Sequence, residues 1–99
     1  MAKLFFRQEA IDDLNNIWNY TYDTWSQKQA DHYYAALEFA CRQIGENPAL
    51  GKTYEEISPE LQGLKAGKHI IFYQVITKHE VEIIRILHES MDLKNRLDE

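Results

Sequence analysis

Two apolar, β-branched runs near the carboxyl end, residues 68–76 (KHIIFYQVI) and 81–87 (VEIIRIL), constrain this chain more than any other feature. The residues between them, Thr77, Lys78, His79 and Glu80, are short enough to close only an antiparallel hairpin, because a parallel return needs a crossover of a dozen residues or more. That turn contains neither Gly nor Asn, which leaves its type open. Residues 61–66 predict a further strand before the pair, and residues 3–7 another at the start. Strands this apolar need a second layer over them.

The cover has to come from the first half. Ile11, Leu14, Trp18, Tyr22 and Trp25 recur every three or four positions and predict one face of an amphipathic helix. Ala30, Tyr34, Leu37, Cys41 and Ile44 alternate steps of four and three, the seam of a second helix packed along a neighbour. Between them, Ser26 followed by Gln29 has the form of a capping box, in which each side chain satisfies an orphan amide of the first turn, so the chain breaks near Trp25 and turns back. Pro48, with the extended bias it imposes on Asn47, stops the second helix near Gly45. Residues 48–59 show no period and read as a loop with a short helical turn. The expected fold class is α+β: an N-terminal αα-hairpin across one face of a small, mostly antiparallel β-sheet, as its only cover. A short helical tail follows, with Met91, Leu93 and Leu97 as its apolar anchors.

At 99 residues there is room for one hydrophobic core, so 1–99 is expected to form one domain, and 44% apolar with 12% aromatic residues supplies that core. Cys41 is the only thiol; it rules out an intramolecular disulfide and reads as a small hydrophobe on the helical seam. Leu4, Phe5 and Phe6 form the only apolar run at the amino end, too short for a signal peptide or a membrane span, which predicts a cytoplasmic protein with no membrane role. The net charge of −5 argues against a protein that coats nucleic acid, although Lys65, Lys68 and Lys78 make one local stretch basic.

Five stretches, in order, resemble the ParE branch of the RelE/ParE toxin family of bacterial toxin–antitoxin modules. They are Ile17-Trp18-Asn19-Tyr20 with Trp25, Gln29-Ala30 with Tyr33 or Tyr34, Asn47-Pro48-Ala49-Leu50-Gly51, His69-Ile70-Ile71-Phe72-Tyr73, and Arg85-Ile86-Leu87-His88-Glu89-Ser90-Met91-Asp92. The resemblance implies a plasmid-borne or chromosomal toxin, of the kind that stabilises plasmids, that inhibits DNA gyrase by protein–protein binding. It further implies a ParD-like antitoxin that neutralises the toxin by wrapping a flexible tail around it in a hetero-oligomer, with no cofactor and no sequence-specific nucleic-acid contact.

The competing activity is that of the RelE branch, ribosome-dependent cleavage of messenger RNA, which needs a general base, a general acid and cations around the transition state. Candidates for those roles are Lys65, Lys68, His69, Arg85 and His88. RelE-like nucleases carry a basic residue and usually a Tyr after the last strand, where this chain has Glu89, Met91, Asp92 and Leu93. No catalytic residue is therefore assigned. Nor is a metal site, since His32, His69, His79 and His88 lack ligand spacing on a shared helix. The expected contacts to antitoxin or gyrase are Trp18, Tyr22, Trp25, Tyr34, Lys65, His69, Arg85, His88, Met91, Asp92 and Arg96. Two of these carry alternatives: the helical aromatics serve as core or as interface anchors, and Arg85, a charge inside an apolar strand, pairs with Asp92, with a helix acid, or with an acidic group of the partner.

Overall fold

The computed structural model of the protein describes residues 1–97. Along them run β1 (Lys3–Phe6), α1 (Gln8–Thr24), α2 (Gln27–Glu46), β2 (Lys52–Thr53), β3 (Gln62–Ala66), β4 (His69–Thr77), β5 (Glu80–His88) and α3 (Leu93–Leu97). The strands form one sheet in the order β1-β5-β4-β3-β2. β4 and β5 make the expected antiparallel hairpin, from His69 opposite His88 to Thr77 opposite Glu80, and β3 and β2 continue antiparallel on one side. β1 joins the other side parallel to β5, with Lys3 opposite Glu80 and Phe6 opposite Ile83. No residue of the β4–β5 turn has positive φ, which excludes the primed two-residue turns; the register slips at Ile76 instead.

α1 and α2 lie across one face of the sheet, and their buried residues Ala10, Leu14, Leu37, Cys41 and Ile44 meet Ile71, Tyr73, Val81, Ile83 and Ile86. The α2 seam is the expected one: Ala30, Leu37, Cys41 and Ile44 are buried and Tyr34 packs against the cluster. Ser26 caps the helix, its Oγ accepting the Gln29 N–H at 3.1 Å. The α1 seam differs from expectation. Ala10, Leu14, Ile17 and Thr21 face inward, while Ile11, Tyr22 and Trp25 are 39%, 48% and 73% exposed. The cause is size. Trp18 and Tyr22 stack on each other on the flank of α1, ring centroids 5.2 Å apart, and the Trp18 indole donates to Asp31 of α2 at 3.0 Å. With the large rings displaced sideways, small residues such as Ala10 let the helix approach the sheet closely.

The helical hairpin is not the sheet's only cover. On the opposite face Leu61, Ile70, Phe72, Ile84 and Leu87 form a second cluster beneath Tyr54, Ile57, Leu93 and Leu97. Segment 54–61 and α3 therefore close the face that was expected to stay open. Leu93 and Leu97 anchor the tail as expected, whereas Met91 is 40% exposed.

Both faces of β5 can be apolar because the strand carries a bulge at Ile84. Phe72 pairs with Arg85 but Tyr73 pairs with Ile83, so Ile84 is an extra residue. Strict alternation from Val81 and Ile83 would turn Arg85 into the helix-side core. The bulge puts Ile86 there and leaves Arg85 outside. At the far end of the sheet, the Tyr73 hydroxyl donates to the Pro48 carbonyl and accepts the Gly51 N–H, both at 2.8 Å. A Cβ on Gly51 would stand 2.6 Å from that hydroxyl, so glycine is required.

Candidate functional site

β1 ends opposite Ile83, so β5 beyond that point has no strand on its outer side. α1 and the turn at Trp25 stand on one side of this bare edge, and the segment after His88 stands on the other. Between them opens a groove of about 840 Å³. Ile17, Tyr20 and Trp25 form its helical wall, Lys68, His69, Arg85 and Ile86 its floor, and His88, Met91 and Arg96 its carboxyl-terminal wall. Tyr20 and Trp25 are 69% and 73% exposed, unusual for rings of this size beside an open cavity.

The floor carries a polar cluster. His69 and His88 face each other across β4 and β5 with their rings edge to face, centroids 5.3 Å apart. The Tyr33 hydroxyl, from α2, accepts the Lys68 N–H at 2.9 Å and lies 2.6 Å from His69 Nδ1 but 3.5 Å from the Ala66 carbonyl. The shorter contact makes Nδ1 the acceptor of the Tyr33 O–H, with the His69 proton on Nε2. Burial, reinforced by His88, pushes the His69 pKa down to about 4 despite the carboxylates of Asp13 and Glu89, so the ring is neutral at pH 7. Burial also raises the Tyr33 pKa. The turn between β3 and β4 makes room for this contact through Gly67, at φ +60°, where a Cβ would lie 2.7 Å from the Tyr33 ring. His88 Nδ1 accepts the Ser90 N–H at 3.1 Å and sits 2.7 Å from Ser90 Oγ, which starts the tail in a fixed direction. Both imidazoles thus offer N–H donors at Nε2 and keep their lone pairs engaged at Nδ1.

Of the partners open to Arg85, the structure selects a helix acid. Nε and Nη2 bind Asp13 Oδ2 and Oδ1 at 2.9 and 3.1 Å, and the two side chains are only 17% and 12% exposed. Asp13 Oδ2 also accepts the Ile86 N–H at 2.9 Å, satisfying an amide on the bare edge. Asp92 instead accepts the Asn95 side-chain amide at 2.7 Å, at the start of α3.

Of the eleven residues expected at the partner interface, Trp25, His69, Arg85, His88, Met91 and Arg96 line this groove and the other five do not. Trp18 and Tyr34 line a separate depression on the outer flank of α1 with Asn15, Asp31 and Glu38, and Tyr22 stacks on Trp18. Lys65 pairs with Glu89 at 3.0 Å and holds that carboxyl below its usual range. The sequence reading missed Asp13, Asn16 and Ser90 as groove residues. Asp13, Asn16 and Tyr20 are spaced three and four apart, a stripe flanking the inward-facing Ala10, Leu14, Ile17 and Thr21 series. Locating that series first would have identified them.

Among the described residues no group of three or more His, Cys, Asp or Glu is placed to hold a metal ion, and no helix is long and apolar enough to cross a membrane. The sequence profile of the ParE toxin of type II toxin–antitoxin systems, parDE, matches residues 4–93. Toxin ParE1 of Mycobacterium tuberculosis is 37% identical over 84 residues, covering 85% of this chain and 86% of its own length. Toxin ParE1 of Caulobacter vibrioides is 35% identical over 90 residues (91% and 92% of the two chains), and Toxin ParE of Escherichia coli is 30% identical over 97 residues (98% and 94%). Among solved structures, the chromosomal ParDE TA system from P. aeruginosa contains a chain with the same fold, at a TM-score of 0.77 and 17% identity, covering 89% of this chain and 96% of that one. A chain of the toxin–antitoxin complex RelBE2 from Mycobacterium tuberculosis shares the fold at a TM-score of 0.63 and 20% identity, covering 89% and 98%. The match to the profile across nearly its full length, with relatives of 30% identity and more, makes this chain a member of the ParE family of type II toxin–antitoxin toxins.

Proposed function

We propose that the protein is a cytoplasmic, single-domain toxin that inhibits DNA gyrase by binding it through the groove beside β5 and is silenced by a ParD-like antitoxin. The observation that carries this reading is the lining of the groove, where Tyr20, Trp25, Ile17 and Met91 surround a few fixed polar donors. Aromatic rings beside a concave apolar surface are the usual energetic centres of protein interfaces. The choice of gyrase as target rests on the family to which the chain belongs. Trp25, His69, Arg85, His88, Met91 and Arg96 are the gyrase contacts. Trp18, Tyr22 and Tyr34, on the outer flank of α1, are the antitoxin contacts, and Lys65 and Asp92 support the tail.

Binding without bond-making is favoured by the protonation pattern. A general base needs a free lone pair, and both imidazoles have theirs engaged at Nδ1. The Arg85 charge is balanced by Asp13. The test is a supercoiling assay with purified gyrase: inhibition is expected, relieved by stoichiometric antitoxin. The grouping of Tyr33, Lys68, His69 and His88 favours a second reading, a RelE-type ribosome-dependent endoribonuclease. Discrete in-frame cuts in messenger RNA after induction, with supercoiling intact, would establish that reading and dismiss the first. Growth arrest on expression without antitoxin would exclude a chain that serves only as antitoxin partner and co-repressor.

A further inference from the structure

We propose that Asp13 is a positioning residue that fixes the carboxyl-terminal wall of the groove from the opposite face of the sheet, acting through the Arg85 guanidinium. Asp13 stands on α1, above the helix-covered face, whereas α3 packs on the other face through Leu93 and Leu97. Arg85 reaches around the bare edge of β5 between them. Its Nε and Nη2 bind the Asp13 carboxylate, and its Nη1 donates to the Arg96 carbonyl at 3.3 Å. That carbonyl belongs to the last turn of α3, one of the orphan acceptors at a helix end, and a cation is the favoured group there.

Three features make the link more than an incidental ion pair. α3 has five residues, too short to hold its shape without tertiary contacts. The bulge at Ile84 places Arg85 at the edge, where it can touch both layers. The bidentate geometry, with the Ile86 N–H as a third donor to the same carboxylate, fixes the guanidinium plane and hence the direction of Nη1. Met91, Ser90 and Arg96 line the groove on the tail side, so the width of the groove depends on where this link holds the tail. Asp13 sits 72 positions from Arg85 in sequence, so its carboxylate couples the helical wall to the tail wall.

The functional half of the proposal rests on the reading of the groove as the gyrase-binding surface; the structural half does not. In the full chain, Asp13→Asn keeps an acceptor for the Ile86 amide but loses the charge that orients the guanidinium. Trypsin cleavage after Lys94 and Arg96, followed by mass spectrometry, reports the local opening of α3. Asp13→Asn is expected to be cut there about 10-fold faster than wild type, and to inhibit supercoiling at least about 10-fold less well. Leu37→Ala, a core variant matched for loss of thermal stability, is expected to leave tail cleavage close to wild type at the same temperature below its midpoint. Arg85→Lys retains a charge near Asp13 but cannot bridge to Arg96, and is expected to match Asp13→Asn in the cleavage assay. Tail cleavage of Asp13→Asn no faster than that of Leu37→Ala would overturn the proposal. If Asp13→Asn does not fold, Arg85→Lys decides by the same comparison. Should the wild type fail to inhibit gyrase, the functional reading falls while the cleavage assay still decides the role of Asp13.

Discussion

Replacing Tyr73 by Phe removes one oxygen from the core and should release the loop at the far end of the sheet. The ring is fully buried and keeps every apolar contact in the variant, so the change isolates the hydroxyl. That oxygen serves two backbone groups, the Pro48 carbonyl and the Gly51 N–H, each at 2.8 Å. A buried group left without a partner costs about 1–3 kcal/mol. Both residues are half-buried, so water reaches the released groups in part and the lower end applies to each, about 2 kcal/mol together. For a domain of this size such a loss lowers the melting temperature by about 8–16 °C. Urea unfolding followed by tryptophan fluorescence measures the first quantity and calorimetry the second, with the denaturant slope expected to stay constant. Amide exchange at Gly51 should accelerate as well. The groove, lined by none of these residues, should bind its target unchanged at equal folded concentration. A loss below about 0.5 kcal/mol with exchange at Gly51 unaltered would refute the view that the hydroxyl, and not the ring, holds the loop.

Acid should weaken the fold through His69. Its folded pKa of about 4 lies below the unfolded value, so its contribution is complete above pH 6.5 and disappears as the pH falls through 4. Discounted for partial solvation, the effect is about 1–2 kcal/mol, measurable as a smaller acid loss in His69→Gln and as a His69 proton resonance that titrates near pH 4. Ser26→Ala removes the cap on α2 and should cost about 1 kcal/mol in chemical denaturation, with Ser26→Asp restoring most of it. Cys41, buried and with its thiol pushed up to about 12 by burial and by Glu38, should resist alkylation in the native protein and react only on unfolding.

The strands and the α2 seam were legible in the sequence because their signals are local. β-branched runs, a four-residue connection and steps of four and three among Ala30, Tyr34, Leu37, Cys41 and Ile44 each report on their own neighbours. The α1 seam was misread because hydrophobicity alone ranks Trp18 and Tyr22 above Ala10 and Thr21. Proximity to a sheet favours the small residues, and that preference depends on what lies opposite. The second cover was hidden for a similar reason: segment 54–61 has no period, and only the three-dimensional position of Leu61, Tyr54 and Ile57 makes it a lid. In the groove, Arg85 stood out as a charge in an apolar strand, yet nothing in the sequence marked Asp13 as its partner. A carboxylate on a polar helix flank looks the same whether it meets solvent or a guanidinium from the far end of the chain.

The parallel pairing of β1 with β5 bears on how the protein comes into being. Translation delivers β1, α1 and α2 first, but the sheet the helices cover is centred on β4 and β5, which arrive just before α3. At about 5–20 residues per second, the apolar seams of the two helices emerge seconds before the sheet can cover them. β1 cannot be zipped in until Ile83 is made, and the groove cannot exist until Met91 and Arg96 follow. If the groove is the target-binding surface proposed above, a nascent chain is harmless until its synthesis is nearly complete. On that reading, a partner able to bind the waiting helices would meet the chain before it is armed.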